Sequence, residues 1–161
     1  MKRILIALDY DPSAEKIAEA GYALASSLGA SVILLHVISD ASAYSALNYS
    51  PVMGFDSFNN LGLLETGTME ELLNTTAQEY LDKSKQHLGD ESIETVVKDG
   101  DFGKSILDTA TEMNVDIIVM GTHSRSGLDK ILMGSVAEKV LHHSSIPLYF
   151  IPVRERPVEK K

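Results

Sequence analysis

The sequence has no cysteine, which removes disulfides and thiolate metal ligands from consideration and fits a reducing cytoplasm. Positive charge is also scarce. Lys and Arg number 14 against 23 Asp and Glu, a formal net charge of −9 at pH 7. Non-specific nucleic-acid binding relies on Lys and Arg neutralising phosphates, so the balance argues against that class of function. No apolar stretch approaches the roughly 18 residues of a membrane span. The N-terminus, Met1-Lys2-Arg3 before ILIAL, has the charge of a secretory leader, but Asp9, Tyr10 and Asp11 end the apolar run too early for one. It reads as a first buried strand. Two nucleotide motifs are missing as well. There is no G-x-x-x-x-G-K-[ST], and the first strand ends in ALDYDPSA rather than G-x-G-x-x-G. A P-loop NTPase and a Rossmann dinucleotide site are therefore disfavoured.

What remains is ordinary globular material: 161 residues, 44% hydrophobic, with a mean hydropathy of +0.01. That is one domain with room for a core, here placed at residues 1–153 with a charged tail at 154–161. Segments of two periods alternate along it. RILIALD (Arg3–Asp9) and SVILLHVI (Ser31–Ile38) are nearly continuous apolar runs, as expected of parallel strands covered on both faces. Between them Ala14, Ile17, Ala18, Gly21, Leu24, Ala25 and Leu28 recur at helical spacing, with Asp11 as cap, Pro12 at the first turn and Gly29 as stop. A second helix opens with a capping box, Thr68 and Glu71, and shows Met69, Leu72, Leu73, Tyr80 and Leu81 as its apolar face before Gly89. Strand SIETVVK (Ser92–Lys98) follows. The third helix takes Asp101 as cap and Ile106, Leu107, Ala110 and Met113 as its stripe. DIIVMG (Asp116–Gly121) is a fourth strand, a helix with Val136, Val140 and Leu141 comes next, and IPLYFIPV (Ile146–Val153) is the fifth strand. Its prolines, Pro147 and Pro152, suit a strand end or a sheet edge.

Alternating strands and helices predict a parallel α/β sheet with right-handed crossovers. Ligands of such sheets bind beyond the C-terminal strand ends, which selects Asp9, Val37 and Gly121. Residues 39–67 show neither helical nor strand period. A loop that long is usually functional or disordered, and this one carries Tyr44, Tyr49, Phe55 and Phe58. It is expected to be a surface excursion, or alternatively a lid or subunit contact.

The span GTHSRSGLDKILMGSV (Gly121–Val136) carries the chemistry. Gly121 ends a buried strand, where a missing Cβ allows close backbone approach to a ligand. Gly134-Ser135 opens a helix, and Ser135 with Glu138 makes a capping box that is complete without a ligand. The amides of Ser135, Val136 and Ala137 nonetheless sit at the positive end of a helix dipole, a physical anion site. Elsewhere His36 reads as a satisfied core histidine. His142 and His143 are adjacent, so they share no helix face; they complement the dipole rather than hold a metal.

Taken together, ILIALDYDPSA, LHVI and DIIVMGTHSRSGLDKILMGSVAEKVLHHSSIPLYFIP resemble the universal stress protein family over nearly the whole chain. Nucleotide-binding members carry G-x2-G-x9-G-[ST]. Here Gly121, then Ser124 at the second glycine position, then Gly134-Ser135 keep the spacing. The resemblance implies a three-layer α/β/α sandwich of adenine-nucleotide α-hydrolase-like type, with a five-stranded parallel sheet of order 3-2-1-4-5. It also implies binding of ATP or a related adenine nucleotide, with Mg²⁺ on the phosphates as an option. By that resemblance Ala7, Leu8 and Asp9 meet adenine and ribose, Val37 meets the adenine edge, and Met120 and Gly121 line the ribose. His123, Ser124 and Arg125 curl around phosphates held by Gly134, Ser135, Val136 and Ala137. Ser124 departs from the motif. If that position needs φ > 0, a serine there is strained by about 1 kcal/mol.

Three functions stay open at this level. One is a regulatory protein that binds nucleotide and hydrolyses it slowly at most, since no lysine follows the helix-start glycine and no catalytic motif stands out. Another is a homodimeric interaction protein that has lost nucleotide. The third, an ATP-using enzyme of the wider group, lacks the Ser-Gly-Gly loop such enzymes resemble one another in. Family likeness also implies a dimer paired through the last strand, by Leu148, Phe150 and Ile151.

Overall fold

The computed structural model describes residues 1–39, 69–122 and 133–153. Segment 39–67, apart from Ser39, lies outside the described residues, as do the cap residue Thr68 and the tail 154–161. Among the described residues five strands, β1 (Arg3–Ala7), β2 (Ser31–Ile38), β3 (Glu94–Asp99), β4 (Ile117–Gly121) and β5 (Leu148–Ile151), alternate with four helices. These are α1 (Ala14–Leu28), α2 (Met69–Leu88), α3 (Phe102–Glu112) and α4 (Ser135–His143). All strand pairs are parallel and the sheet order is β3-β2-β1-β4-β5. That is the order the family likeness implies. β5 is an edge strand flanked by Pro147 and Pro152, as their missing N–H groups require.

Two apolar layers account for the near-continuous hydrophobic runs. Ile4, Ile6, Val32, Leu34 and Val119 point into one core with α1 and α2, while Leu5, Ile33, Leu35, Ile118 and Met120 point into the other with α3 and α4. Every residue from Val32 to Ile38 is buried, so period-2 alternation has no polar face to reveal. On α1, Gly21 packs directly against the sheet: a Cβ there would lie 2.7 Å from Ile6 Cδ1.

Helix ends differ from expectation in informative ways. The N-cap position of α1 is Ser13, not Asp11. Asp11 acts two residues earlier, its carboxylate accepting from Ser13 N (2.9 Å) and its carbonyl from Ala14 N (2.9 Å). Gly29 (φ 61°) and Gly89 (φ 71°) do end α1 and α2 in the left-handed conformation. Asp101 caps α3 through Lys104 N at 2.8 Å. Met69, Leu28 and Leu141, counted on apolar faces, are exposed because they sit in terminal turns beyond the reach of a neighbour. Ala77 and Ala137, small and easily passed over, fill buried positions instead. Among the described residues no helix is long and apolar enough to cross a membrane.

Candidate functional site

The sheet order reverses between β1 and β4, so the crevice lies beyond Ala7 and Gly121. Ala7, Leu8, Asp9, Val37, Met120, Gly121 and the Gly134–Ala137 segment all belong to this one end of the sheet. Leu8 continues the pairing of β1 one residue past the strand, its amide donating to Leu35 O at 2.8 Å. Gly100 N donates to Ile38 O at 2.9 Å. Odd-numbered backbone groups of β2 therefore face β1 and even-numbered ones face β3. Val37 faces the β1 side one step after Leu8, where that chain has turned away, and no described residue bonds its backbone there. Leu8, Val37 and Met120 bury their side chains in the two cores, so only their main-chain atoms are available to a ligand.

The turn from β1 into α1 is fixed by distant side chains. Asp9 Oδ1 accepts from Asp11 N at 3.1 Å. The Tyr80 hydroxyl of α2 donates to Asp9 O at 2.5 Å, and His36 Nδ1 lies 2.8 Å from Leu8 O. The His36 ring stands 4.3 Å from Tyr10 and 5.8 Å from Tyr80, with Tyr10 and Tyr80 5.0 Å apart. Burial holds the imidazole below its ordinary pKa, while the Leu8 carbonyl partly offsets this. It likewise drives the Tyr80 phenol upward, helped by the negative charge of Asp9. Core histidine was the right expectation for His36, but satisfied is not. Among the described residues, His36 Nε2 is buried without a partner, and so is Ser13 Oγ beside the same turn.

At the other wall, α4 begins at Ser135 with Gly134 (φ −61°, ψ 158°) as its N-cap and no side-chain cap. The anticipated capping box of Ser135 and Glu138 does not form, because an extended glycine one residue earlier already turns the chain. Ser135 is thus the first helical residue and Glu138 the fourth. Glu138 N takes Gly134 O at 2.9 Å, whereas the Ser135, Val136 and Ala137 amides have no acceptor among the described residues. Gly134 N in turn donates to Thr122 O at 2.7 Å, which fastens α4 to the end of β4. His123, Ser124 and Arg125 lie outside the described residues.

The space beside Gly121 also bears on packing within the protein. A Cβ there would lie 2.6 Å from Ile17 Cδ1 and 2.9 Å from Val153 Cγ2, so protein side chains fill the space. Of the remaining polar residues, His143 Nδ1 lies 2.8 Å from Lys139 O and His142 sits 3.7 Å from Glu138. Lys139 is bound to Asp101 at 2.8 Å. His87 clips α2 to α1 through Glu19 (2.8 Å) and Glu15 (3.2 Å).

A family model described as the universal stress protein family matches residues 1–152. Universal stress protein A homolog 2 of Coxiella burnetii is 27% identical over 95% of this chain and 96% of its own length. Universal stress protein MJ0577 of Methanocaldococcus jannaschii is 28% identical over 93% of this chain and 94% of its own. The solved structure of MJ0577 superposes with a TM-score of 0.71, covering 96% of this chain and 98% of that one. A universal stress protein crystallised in complex with cAMP, 16% identical, shares the fold at a TM-score of 0.60 over 94% and 96% of the two chains.

Proposed function

We propose, on the premise that this chain belongs to the universal stress protein family, that it is a regulatory protein binding ATP or a related adenine nucleotide across the C-terminal edge of its sheet. The adenosine end rests on the main chain of Ala7, Leu8 and Val37, with Asp9, Met120 and Gly121 around the ribose. The phosphates take the amides of Ser135, Val136 and Ala137 beside His123, Ser124 and Arg125, and Mg²⁺ accompanies them. The observation that carries this reading is the uncapped start of α4. Its three amides have no acceptor among the described residues; such a helix start is an anion seat, and it stands on the reversal point of the sheet. The backbone of Val37, directed past the end of β1, supports the adenine side. A universal stress protein of the same fold crystallised with cAMP makes an adenine nucleotide the natural class.

Hydrolysis is slow at most. Phosphoryl transfer is driven by cations placed on the developing charge. The residue after Gly134-Ser135 is Val136, and Lys139, the first lysine of α4, is held by Asp101. Two copies associate through β5, whose Leu148, Tyr149 and Phe150 form the outer edge. Ile151, included in that contact on family likeness, is buried in the protomer core instead.

Mass spectrometry of nucleotides released on denaturing the purified protein tests the binding. An adenine nucleotide near one per chain, or a thermal shift with millimolar Mg-ATP, is expected. A clean protein with no shift would select the alternative, an interaction protein that has lost its nucleotide.

A further inference from the structure

We infer that His36 and Tyr80 are positioning residues for the nucleotide site, together clamping the Leu8–Asp9 main chain, and that His36 does so only as the neutral imidazole, making nucleotide affinity fall in acid. The inference rests on the nucleotide reading above. Its observations are independent of α4.

Leu8 O can only accept, so the contact at 2.8 Å requires the proton on Nδ1 and fixes the tautomer. Nε2 is then a bare lone pair, its residue only 2% exposed, and without a partner among the described residues. A buried acceptor left unpaired is unusual enough to need a reason. The ring is not there to satisfy itself. Its task is to hold Leu8 O from one side while Tyr80 holds Asp9 O from another. With Leu8 N already given to Leu35 O, two successive residues past β1 are fastened by three bonds from two elements, β2 and α2. These are the residues on which the adenosine end rests.

The clamp fails by protonation. A second N–H at Nε2 would bury a positive charge with no acceptor. Among the described residues, the groups facing the ring are Tyr10 from the β1–α1 turn, Tyr80 from α2 and Leu8 just past β1, with Val97 alongside on β3. None is a base that would welcome the proton, and the carboxylates of Asp9 and Asp11 act on Tyr80 rather than reversing the fall at His36. Charging His36 therefore drives the ring outward and releases the Leu8 carbonyl.

The test is ATP affinity, by calorimetry from pH 8 to pH 5, for the wild type, His36→Asn and Tyr80→Phe. An asparagine amide mimics Nδ1–H but does not titrate. Once pH is below the His36 pKa the wild type should lose affinity by about tenfold per unit beyond any loss in His36→Asn, the nucleotide's own titration being common to both. Tyr80→Phe should bind more weakly than the wild type at every pH with the same pH profile as the wild type. Two-dimensional ¹H–¹⁵N spectra of the imidazoles should show Nδ1–H at pH 7. An Nε2–H tautomer, or the same acid loss in His36→Asn, overturns this inference while leaving nucleotide binding intact. No ATP binding by the wild type at pH 8 overturns the nucleotide reading itself, and this inference with it.

Discussion

Two histidines set opposite limits on this protein. His36 is held below its ordinary pKa of 6.5 by burial, so the unfolded chain takes up the proton more readily. Its stabilising contribution is complete above pH 6.5 and is lost as pH falls through the lowered value. His87 is raised, first by its bond to Glu19 and then by Glu15. Its contribution is complete below pH 6.5 and is lost as pH rises through the raised value. Urea unfolding across pH 5 to 9 should therefore show His36→Asn flattening the acid limb alone and His87→Gln the alkaline limb alone. Equal effects of either variant on both limbs would contradict these assignments. Gly121 offers a test of a different kind. Because Ile17 and Val153 occupy the place of its Cβ, Gly121→Ala should cost about 1–3 kcal/mol in unfolding free energy even without nucleotide. A glycine kept free for a ligand would tolerate alanine in the apo protein.

At the scale of elements, the start of α4 is the most exposed claim. Replacing Ser135, its first residue, by Asp puts a carboxylate on the dipole and should stabilise the apo protein by about 0.3–1 kcal/mol. The same charge should abolish ATP binding, and melting and titration of one variant read both effects. Unchanged affinity would mean the phosphates lie elsewhere. Strands and helices were legible from apolar period because each apolar run had to be covered on both faces. Caps were less so. Ser135 and Asp11 have the side chains that favour N-caps, but Gly134 and Ser13 occupy those positions, since main-chain direction rather than hydroxyl chemistry decides where the first turn closes. The strand-end positions Asp9, Val37 and Gly121 followed from the sheet rule alone. His36 with Leu8, and Tyr80 with Asp9, were beyond reach. Their partners lie 28 and 71 residues away, and no local spacing encodes such a meeting.

For the whole molecule, the sheet leaves β5 at its edge. Pro147 O and Ile151 O accept from Ile118 and Thr122, so Leu148 and Phe150 turn their main-chain groups outward, an invitation to pairing. Tyr149 between them is 45% exposed. Sedimentation at tens of micromolar should show a dimer, and Tyr149→Lys should shift it to monomer with stability changed by less than about 0.5 kcal/mol. A monomeric wild type would end the dimer proposal. The bond from Gly134 N to Thr122 O has a consequence for how such a molecule can diversify. It works as a clasp: the chain leaves β4 and returns to α4 at one fixed point, whatever lies between. Lengthening that span is thermodynamically cheap, about 0.6 kcal/mol for each doubling. The length of that span can therefore change while Gly134 and the start of α4 stay in register with the end of β4.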